Sequence, residues 1–306
     1  MEKVKVDVII PTYRPGKEFE TVLERLNKQE YPVEKILIMN TEEEFWNREW
    51  EKKFPALEVH HIKKEEFNHG GTRKKAAQLS KGDIMVFMTQ DAMPKDKGLI
   101  GNLIRPILEN KEVAASYARQ LPARDCSVME RYTRAFNYPE NSLLKTKKDI
   151  PRYGIKTYFC SNVCAAYKKS IYESLGGFVD RTIFNEDMIL AGKMVQKGYG
   201  IFYAAKAEVI HSHNYTGLQQ FHRNFDLGVS QAEHPEIFRG LPSEGEGIRL
   251  VLNTAKFLIK KGKFWMLPSL IVQSGCKFIG YRAGKGYKKL PRRLVLWCTM
   301  SPDYWR

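Results

Sequence analysis

Hydrophobic positions along this chain fall into short continuous runs that alternate with segments at helical spacing, the pattern of buried strands interleaved with amphipathic helices. Val4 to Ile10 is the first run, and Pro11-Thr12-Tyr13-Arg14-Pro15 breaks it into a loop. Glu18 to Asn27 follows with Phe19, Val22, Leu23 and Leu26 at helical spacing. Ile36 to Met39 and Leu57 to Ile62 predict two more strands, and the charged, aromatic stretch Thr41 to Phe54 between them reads as a solvated helix. Ile84 to Thr89 is wholly apolar or β-branched, as expected of a strand covered on both faces; it ends on Gln90-Asp91, and Pro94 stops its continuation. Beyond it the pattern predicts a helix over Leu99 to Leu108, a strand over Val113 to Ala118 and a polar, aromatic segment, Asp125 to Lys148, helical in its first half. Tyr158 to Tyr167 reads as a strand, and Lys169 to Leu175 as a short helix stopped by Gly176-Gly177-Phe178. A helix over Asp187 to Lys197 turns Ile189, Leu190, Met194 and Val195 inward, before short strands at Ile201 to Ala204 and Ala207 to Ile210. This order predicts an α/β fold with a parallel, doubly wound sheet.

At 306 residues, 43% hydrophobic and 12% aromatic, the chain has a real core, with room for one large α/β domain and an appendage. The division expected is residues 1–235 for the α/β domain and 236–306 for a basic helical region. The net charge of +15 is unevenly placed: residues 241–306 carry 13 Lys/Arg against 3 Asp/Glu. Within Leu250 to Cys298 there are 11 cations and no acid. Ile248, Val251, Leu252, Ala255 and Ile259, then Leu267, Leu270, Ile271, Phe278 and Tyr281, recur there at helical spacing, with Phe264, Trp265 and Trp297 among them and Pro268 placed to open a helix. That combination suits helices lying on an anionic membrane surface. The alternative is a subdomain packed on the α/β core with a solvated basic face, where mixed signs would be the norm. Nucleic acid is not expected as a partner, because the cations and aromatics sit on amphipathic helices and form no recognised binding motif. No run of some 20 apolar residues crosses a bilayer, Met1 leads almost directly into the first strand, and the five cysteines lack Cys-x-x-Cys spacing. A cytoplasmic protein held peripherally at the inner face of the cell membrane is the expectation.

Four segments carry candidate chemistry. Asp91 ends a buried strand, where open α/β sheets bind ligands, and its carboxylate needs a cation or donors there; an Asx turn is the plainer reading. Gly70-Gly71 followed by Thr72, a reasonable cap, starts a helix ending near Gly82, and His69 and Arg73 can add charge to an anion site at its N-terminus, or be surface cations of an ordinary loop. Asp187 on a first helical turn is explained by capping, but two adjacent acids, Glu186 and Asp187, are more than capping needs. His211 and His213, two apart on an extended chain, point the same way and with Asp91 can share a hard divalent ion, although alone such a pair is usually structural.

Taken in order, Val8-Ile9-Ile10-Pro11-Thr12-Tyr13, His69-Gly70-Gly71-Thr72-Arg73, Thr89-Gln90-Asp91-Ala92, Gly176-Gly177-Phe178, Asn185-Glu186-Asp187 and His211-Ser212-His213 make residues from about 4 to 230 resemble the family 2 glycosyltransferases. More narrowly they resemble bacterial rhamnosyltransferases of cell-wall and surface polysaccharide synthesis. The resemblance implies the GT-A fold, a Rossmann-like, mostly parallel twisted sheet, here with a basic amphipathic α-helical C-terminal extension. It implies that Pro11, Thr12, Tyr13 and Arg14 line a nucleotide pocket, with Asn40 beside the base and His69, Arg73 and Gln90 toward the nucleotide sugar. It implies Asp91 with His211 or His213 as ligands of Mg²⁺ or Mn²⁺, and Asp187 as catalytic base with Glu186 beside it. Two positions depart from the family pattern: Thr89 stands for the first acid of Asp-x-Asp, and Asn40 for an aspartate after the second strand. The implied reaction is inverting transfer of a sugar, L-rhamnose from dTDP-L-rhamnose, to a hydroxyl of a lipid-linked (polyprenyl diphosphate) glycan; a UDP-hexose is the alternative donor. The oligomeric state is left open, and a homo-oligomer is compatible with the sequence.

Overall fold

The computed structural model describes residues 4–241 and 244–306, and Met1, the expected approach to the first strand, lies outside them. The chain divides into two compact units. The first takes in residues up to Ala123, Tyr138–Arg181 and Glu186–His211; the second takes in Arg124–Asn137, Thr182–Asn185 and Ser212–Arg306.

The first unit runs β1 (Val6–Tyr13), α1 (Glu18–Asn27), β2 (Lys35–Thr41), α2 (Glu49–Lys53), β3 (Leu57–Ile62), α3 (His69–Leu79), β4 (Ile84–Met88), β5 (Met93–Pro94), α4 (Leu99–Glu109) and β6 (Val113–Leu121). After α5 (Val128–Asn137), which belongs to the second unit, come β7 (Leu143–Lys145), α6 (Ile150–Tyr153), β8 (Cys164–Lys168), α7 (Lys169–Ser174), α8 (Glu186–Gln196) and β9 (Gly200–Ile210). The sheet order is β3-β2-β1-β4-β8-β6-β9-β5, with β7 on β9. Strands β3, β2, β1 and β4 are mutually parallel, the doubly wound half expected from the sequence. Beyond them β8 enters antiparallel between β4 and β6, while β6 and β9 are again parallel. One face packs Val8, Ile10, Ile38, Val86 and Met88 on α1, α2 and α4. The other carries the aromatic cluster Phe87, Tyr167, Tyr172 and Phe178, with ring centroids 5.0–6.4 Å apart.

Several elements differ from the sequence reading, each for a local reason. β1 continues through Pro11 to Tyr13 beside β2, and proline is tolerated because pairing with β4 has stopped at Ile9. Thr41 to Phe54 is not a solvated helix: a single turn over Glu43–Phe45 and the short α2 turn Trp46, Trp50 and Phe54 into the core against Phe19. Helix α3 is capped by Asn68, whose side-chain oxygen accepts from Gly71 N at 2.6 Å, while Thr72 is buried behind it. Tyr158 ends a 3₁₀ turn, so Cys160-Ser161-Asn162 is loop and the strand starts only at Cys164. The two short strands after α8 are one, β9, because its pairing with β6 persists across a bulge at Ala118/Arg119.

The second unit is helical: α5, α9 (Gly217–Glu233), α10 (Pro235–Phe238), α11 (Glu244–Lys260), α12 (Leu267–Lys285) and α13 (Arg292–Cys298). Helices α9 and α12 touch backbone to backbone. A Cβ at Gly280 would lie 2.2 Å from the carbonyl oxygen of Phe221, and one at Gly284 2.0 Å from that of Phe225. Ile183, Phe225, Val229, Val295 and Cys298 form a small core, and α11 stacks Phe257 on Tyr132 of α5 with centroids 4.5 Å apart. Outward, Ile248, Leu252, Ile259, Phe264, Trp265, Ile271 and Val272 are each more than half exposed. Among the described residues no helix is long and apolar enough to cross a membrane.

Candidate functional site

The direction of the strands gathers the candidate residues. β1, β2, β3, β4, β6 and β9 all finish at one edge of the sheet, and antiparallel β8 begins there, Cys164 pairing with Met88. Ligands of open α/β sheets bind at this edge.

Over the ends of β1–β3, Thr12, Asn40 and His61 are lateral neighbours. The Thr12 hydroxyl donates to Asn40 Oδ1 (3.0 Å), and Asn40 Nδ2 donates to the Glu42 carbonyl (3.0 Å) and meets His61 Nδ1 (3.1 Å). Asn40 is thus wholly buried with both ends of its amide engaged inside the protein, and the ring it supports, His61, is exposed. An amide donor at Nδ1 places the imidazole proton on Nε2. Gln90 clamps the end of β1: Tyr13 N donates to its Oε1 (2.8 Å) and its Nε2 donates to Tyr13 O (3.1 Å). Half-buried Pro11 precedes them, and exposed Tyr13 and Arg14 stand beyond, Arg14 at φ 48° with its guanidinium 4.2 Å above the Phe45 ring.

Asp91 is brought to His211 by β5, because Met93 pairs with Ile210. Asp91 Oδ2 lies 3.4 Å from His211 Nε2. Behind the ring, His211 Nδ1 lies 3.1 Å from Gln120 Oε1, and Gln120 Nε2 donates to Ser161 Oγ (3.0 Å). The amide oxygen accepts, so Nδ1 carries a proton and Nε2 is the ring nitrogen turned toward the Asp91 carboxylate. A carboxylate oxygen and an imidazole nitrogen so placed are a donor set able to hold a divalent cation. His213 follows two residues later in the second unit, its ring 5.0 Å from that of Tyr215.

The acid pair opens α8, directly after Asn185 at φ 65°. Asp187 Oδ2 accepts from Asn162 N (2.9 Å) and Oδ1 from Met188 N (2.7 Å). Glu186 Oε1 accepts from Asn162 Nδ2 (3.1 Å) and lies 3.3 Å from Arg73 Nη1. Arg73 is 5% exposed and also donates to the His69 carbonyl (3.1 Å), so its charge faces the acids, with half-buried His69 one turn earlier on α3. Glu186 is buried, whereas Asp187 keeps partial access to solvent. Burial first, and then the neighbouring Glu186 charge, push the Asp187 carboxyl up to about 7 against the two backbone donors and Arg73. The acid pair and the Asp91/His211 pair belong to one edge: Thr89 N donates to Val163 O (3.2 Å), with Asp91 two residues past the donor and Asn162 one before the acceptor. Gly176 and Gly177, at φ 78° and 66°, seat Phe178 among the aromatics around Tyr167, whose hydroxyl donates to Asn162 Oδ1 (2.9 Å). Tyr167, Gln120 and His61 were not singled out from sequence. The available signal was a polar residue at a strand end, as with Asp91.

Chemically, the edge offers a carboxylate basic enough to take a proton near neutrality and a pair of ligands able to hold a cation. The profile of the family described as Glycosyl transferase family 2 matches residues 7–176. The O-antigen chain rhamnosyltransferase RfbN of Salmonella typhimurium is 38% identical over 304 residues, 99% of this chain and 96% of that protein. The O-antigen chain rhamnosyltransferase WbaN of Salmonella anatum is 44% identical over 246 residues, covering 80% and 78%. In fold the chain is similar to the mannosyltransferase PcManGT from Pyrobaculum calidifontis, solved with GDP-Man and Mn²⁺ (17% identity, TM-score 0.59, covering 100% of this chain and 86% of that one). It is also similar to S. aureus TarS 1-349 in complex with UDP-GlcNAc (15% identity, TM-score 0.53, covering 93% and 92%). With more than half its length matched by the family profile and a relative 38% identical from end to end, the chain belongs to glycosyl transferase family 2.

Proposed function

We propose that the protein is an inverting rhamnosyltransferase of polysaccharide synthesis, moving L-rhamnose from dTDP-L-rhamnose to a hydroxyl of a lipid-linked glycan. What carries this is the meeting, at one sheet edge, of a carboxylate of raised proton affinity and an Asp/His pair oriented for a cation, in a chain 38% and 44% identical to two O-antigen rhamnosyltransferases. Asp187 takes the proton of the acceptor hydroxyl as that oxygen attacks the anomeric carbon, and direct displacement inverts the centre. Asp91 and His211 would hold Mg²⁺ or Mn²⁺, which supplies charge neutralisation to the departing nucleoside diphosphate. Pro11, Thr12, Tyr13 and Arg14 line the nucleotide pocket, Gln90 holds that segment in shape, Asn40 supports His61 beside the base, and His69 lies toward the diphosphate. Arg73 acts from behind, on the acids. The residues after 235, with their cations and exposed apolar side chains, hold the protein peripherally on the inner, anionic face of the cell membrane, where a polyprenyl-linked acceptor resides.

A thermal-shift panel of nucleoside diphosphates and nucleotide sugars, each with and without Mn²⁺, tests the donor. dTDP-L-rhamnose with Mn²⁺ is expected to stabilise the protein by about 3 kcal/mol at a hundredfold excess over its dissociation constant. Stabilisation by a UDP-hexose in its place would overturn the donor. Asp187→Asn is expected to lower transfer roughly 10³-fold with the ligand shift intact; an active variant removes Asp187 as the base.

A further inference from the structure

We infer that Glu186, held in place by Asn162 and Arg73, is a positioning residue that strengthens Asp187 as a base. This rests on the reading of Asp187 given above.

The hold on Glu186 comes from its hydrogen-bond partners. Tyr167 is wholly buried and its hydroxyl lies 2.9 Å from Asn162 Oδ1. The amide oxygen can only accept, so the hydroxyl proton goes to Asn162, and the thiol of Cys160, 3.4 Å from the same hydroxyl oxygen, must donate to it. With Oδ1 thus occupied, the opposite end of the amide, Nδ2, is the one that faces Glu186 Oε1 at 3.1 Å. The chain Cys160, Tyr167, Asn162 therefore passes donors in one direction and ends on Glu186. The same oxygen lies 3.3 Å from the guanidinium of Arg73. An amide donor and a fixed cation thus meet at one carboxylate oxygen of Glu186 and fix its position beside Asp187.

Asp187 is held differently. Among the described residues it receives the main-chain N–H groups of Asn162 and Met188. The charged and titratable groups acting on it are Glu186 on its own helix, Arg73 from α3, and Cys160 and Tyr167 from the loop and strand opposite. Glu186 disfavours a second negative charge and Arg73 favours it, so the two push in opposite directions. A base whose affinity lies near the working pH takes a proton in the transition state better than a more acidic one.

The test is the pH profile of kcat/KM for rhamnosyl transfer by the full chain with Mn²⁺. Glu186→Gln is expected to move the acid limb toward lower pH and reduce the plateau kcat roughly tenfold, with the donor KM little changed. Arg73→Met is expected to move the same limb toward higher pH, and circular dichroism checks that both variants are folded. Opposite displacements are a signature that a loosened structure would not produce. If both variants keep the wild-type limb while Asp187→Asn is inactive, Asp187 is the base and this inference alone fails. If Asp187→Asn is active, the underlying reading fails first.

Discussion

Asp91 and His211 face each other at 3.4 Å, and the proposal that they share a cation turns on the residue behind the ring, Gln120. Gln120 is 3% exposed, and its amide oxygen holds the Nδ1 proton of His211. Removing that acceptor lets the proton move to the nitrogen facing Asp91. Gln120→Leu is therefore expected to weaken Mn²⁺ binding roughly 10- to 100-fold, read by the free Mn²⁺ signal in electron paramagnetic resonance; unchanged affinity would show that the tautomer is set elsewhere. Asp91, His211 and Asp187 were legible in the sequence because each is a polar residue that ends an apolar run or opens a helix. Gln120 was not, because its partners, Ser161 and His211, lie far along the chain and its type is ordinary in strands. Asn40 shows the converse: the sequence offered it to a ligand, but lateral neighbours Thr12 and His61, set only by strand register, enclose its amide.

At the scale of elements, the α9–α12 contact gives two glycine substitutions opposite signs. Gly284→Ala drives a methyl group into the Phe225 carbonyl and is expected to destabilise the second unit by about 3 kcal/mol. Gly275→Ala, with nothing within 4 Å of the new Cβ, is expected to add about 0.5–1 kcal/mol through helix propensity. Denaturant melts of the pair decide it, and equal effects would mean that the helices do not approach this closely. Asp226 of α9 holds the chain end, accepting from Thr299 Oγ1 (2.6 Å) and Met300 N (3.0 Å). Burial pushes its carboxyl from 3.8 up to about 6, so the stability it contributes is complete below pH 3.8 and is lost as pH rises through about 6. The melting temperature of the wild type should accordingly fall more steeply than that of Asp226→Asn between those values; parallel curves would remove Asp226 as the cause. Helices α1 and α4 and strands β2, β3 and β4 were readable because each buries one regular stripe or run. The Thr41–Phe54 segment misled because its charges mask Trp46 and Trp50, which reach the core from a turn and a five-residue helix. β7, three residues long on an edge, carries no period to read.

For the whole molecule, the uneven charge acquires meaning from what the second unit leaves uncovered. Composition alone could place a basic helical region after residue 235, but it could not say which apolar positions stay outside. The structure leaves Phe264 and Trp265 about two-thirds exposed in the turn between α11 and α12, with Lys260, Lys261 and Lys263 just before them in the chain. Aromatic rings with cations alongside match the acyl boundary and headgroups of an anionic bilayer. Each ring that enters is worth about 1.5–3 kcal/mol and each nearby cation about 1 kcal/mol. The double substitution Phe264→Ser with Trp265→Ser is expected to weaken binding to phosphatidylglycerol-containing vesicles roughly 100-fold in co-sedimentation. It should cost little in folding, since neither side chain is part of a core. Raising the salt should weaken the wild type on these vesicles, as screening acts on the cations and not on the rings. Wild-type-like sedimentation of the double variant would mean that this turn does not meet the membrane, whatever the charge around it.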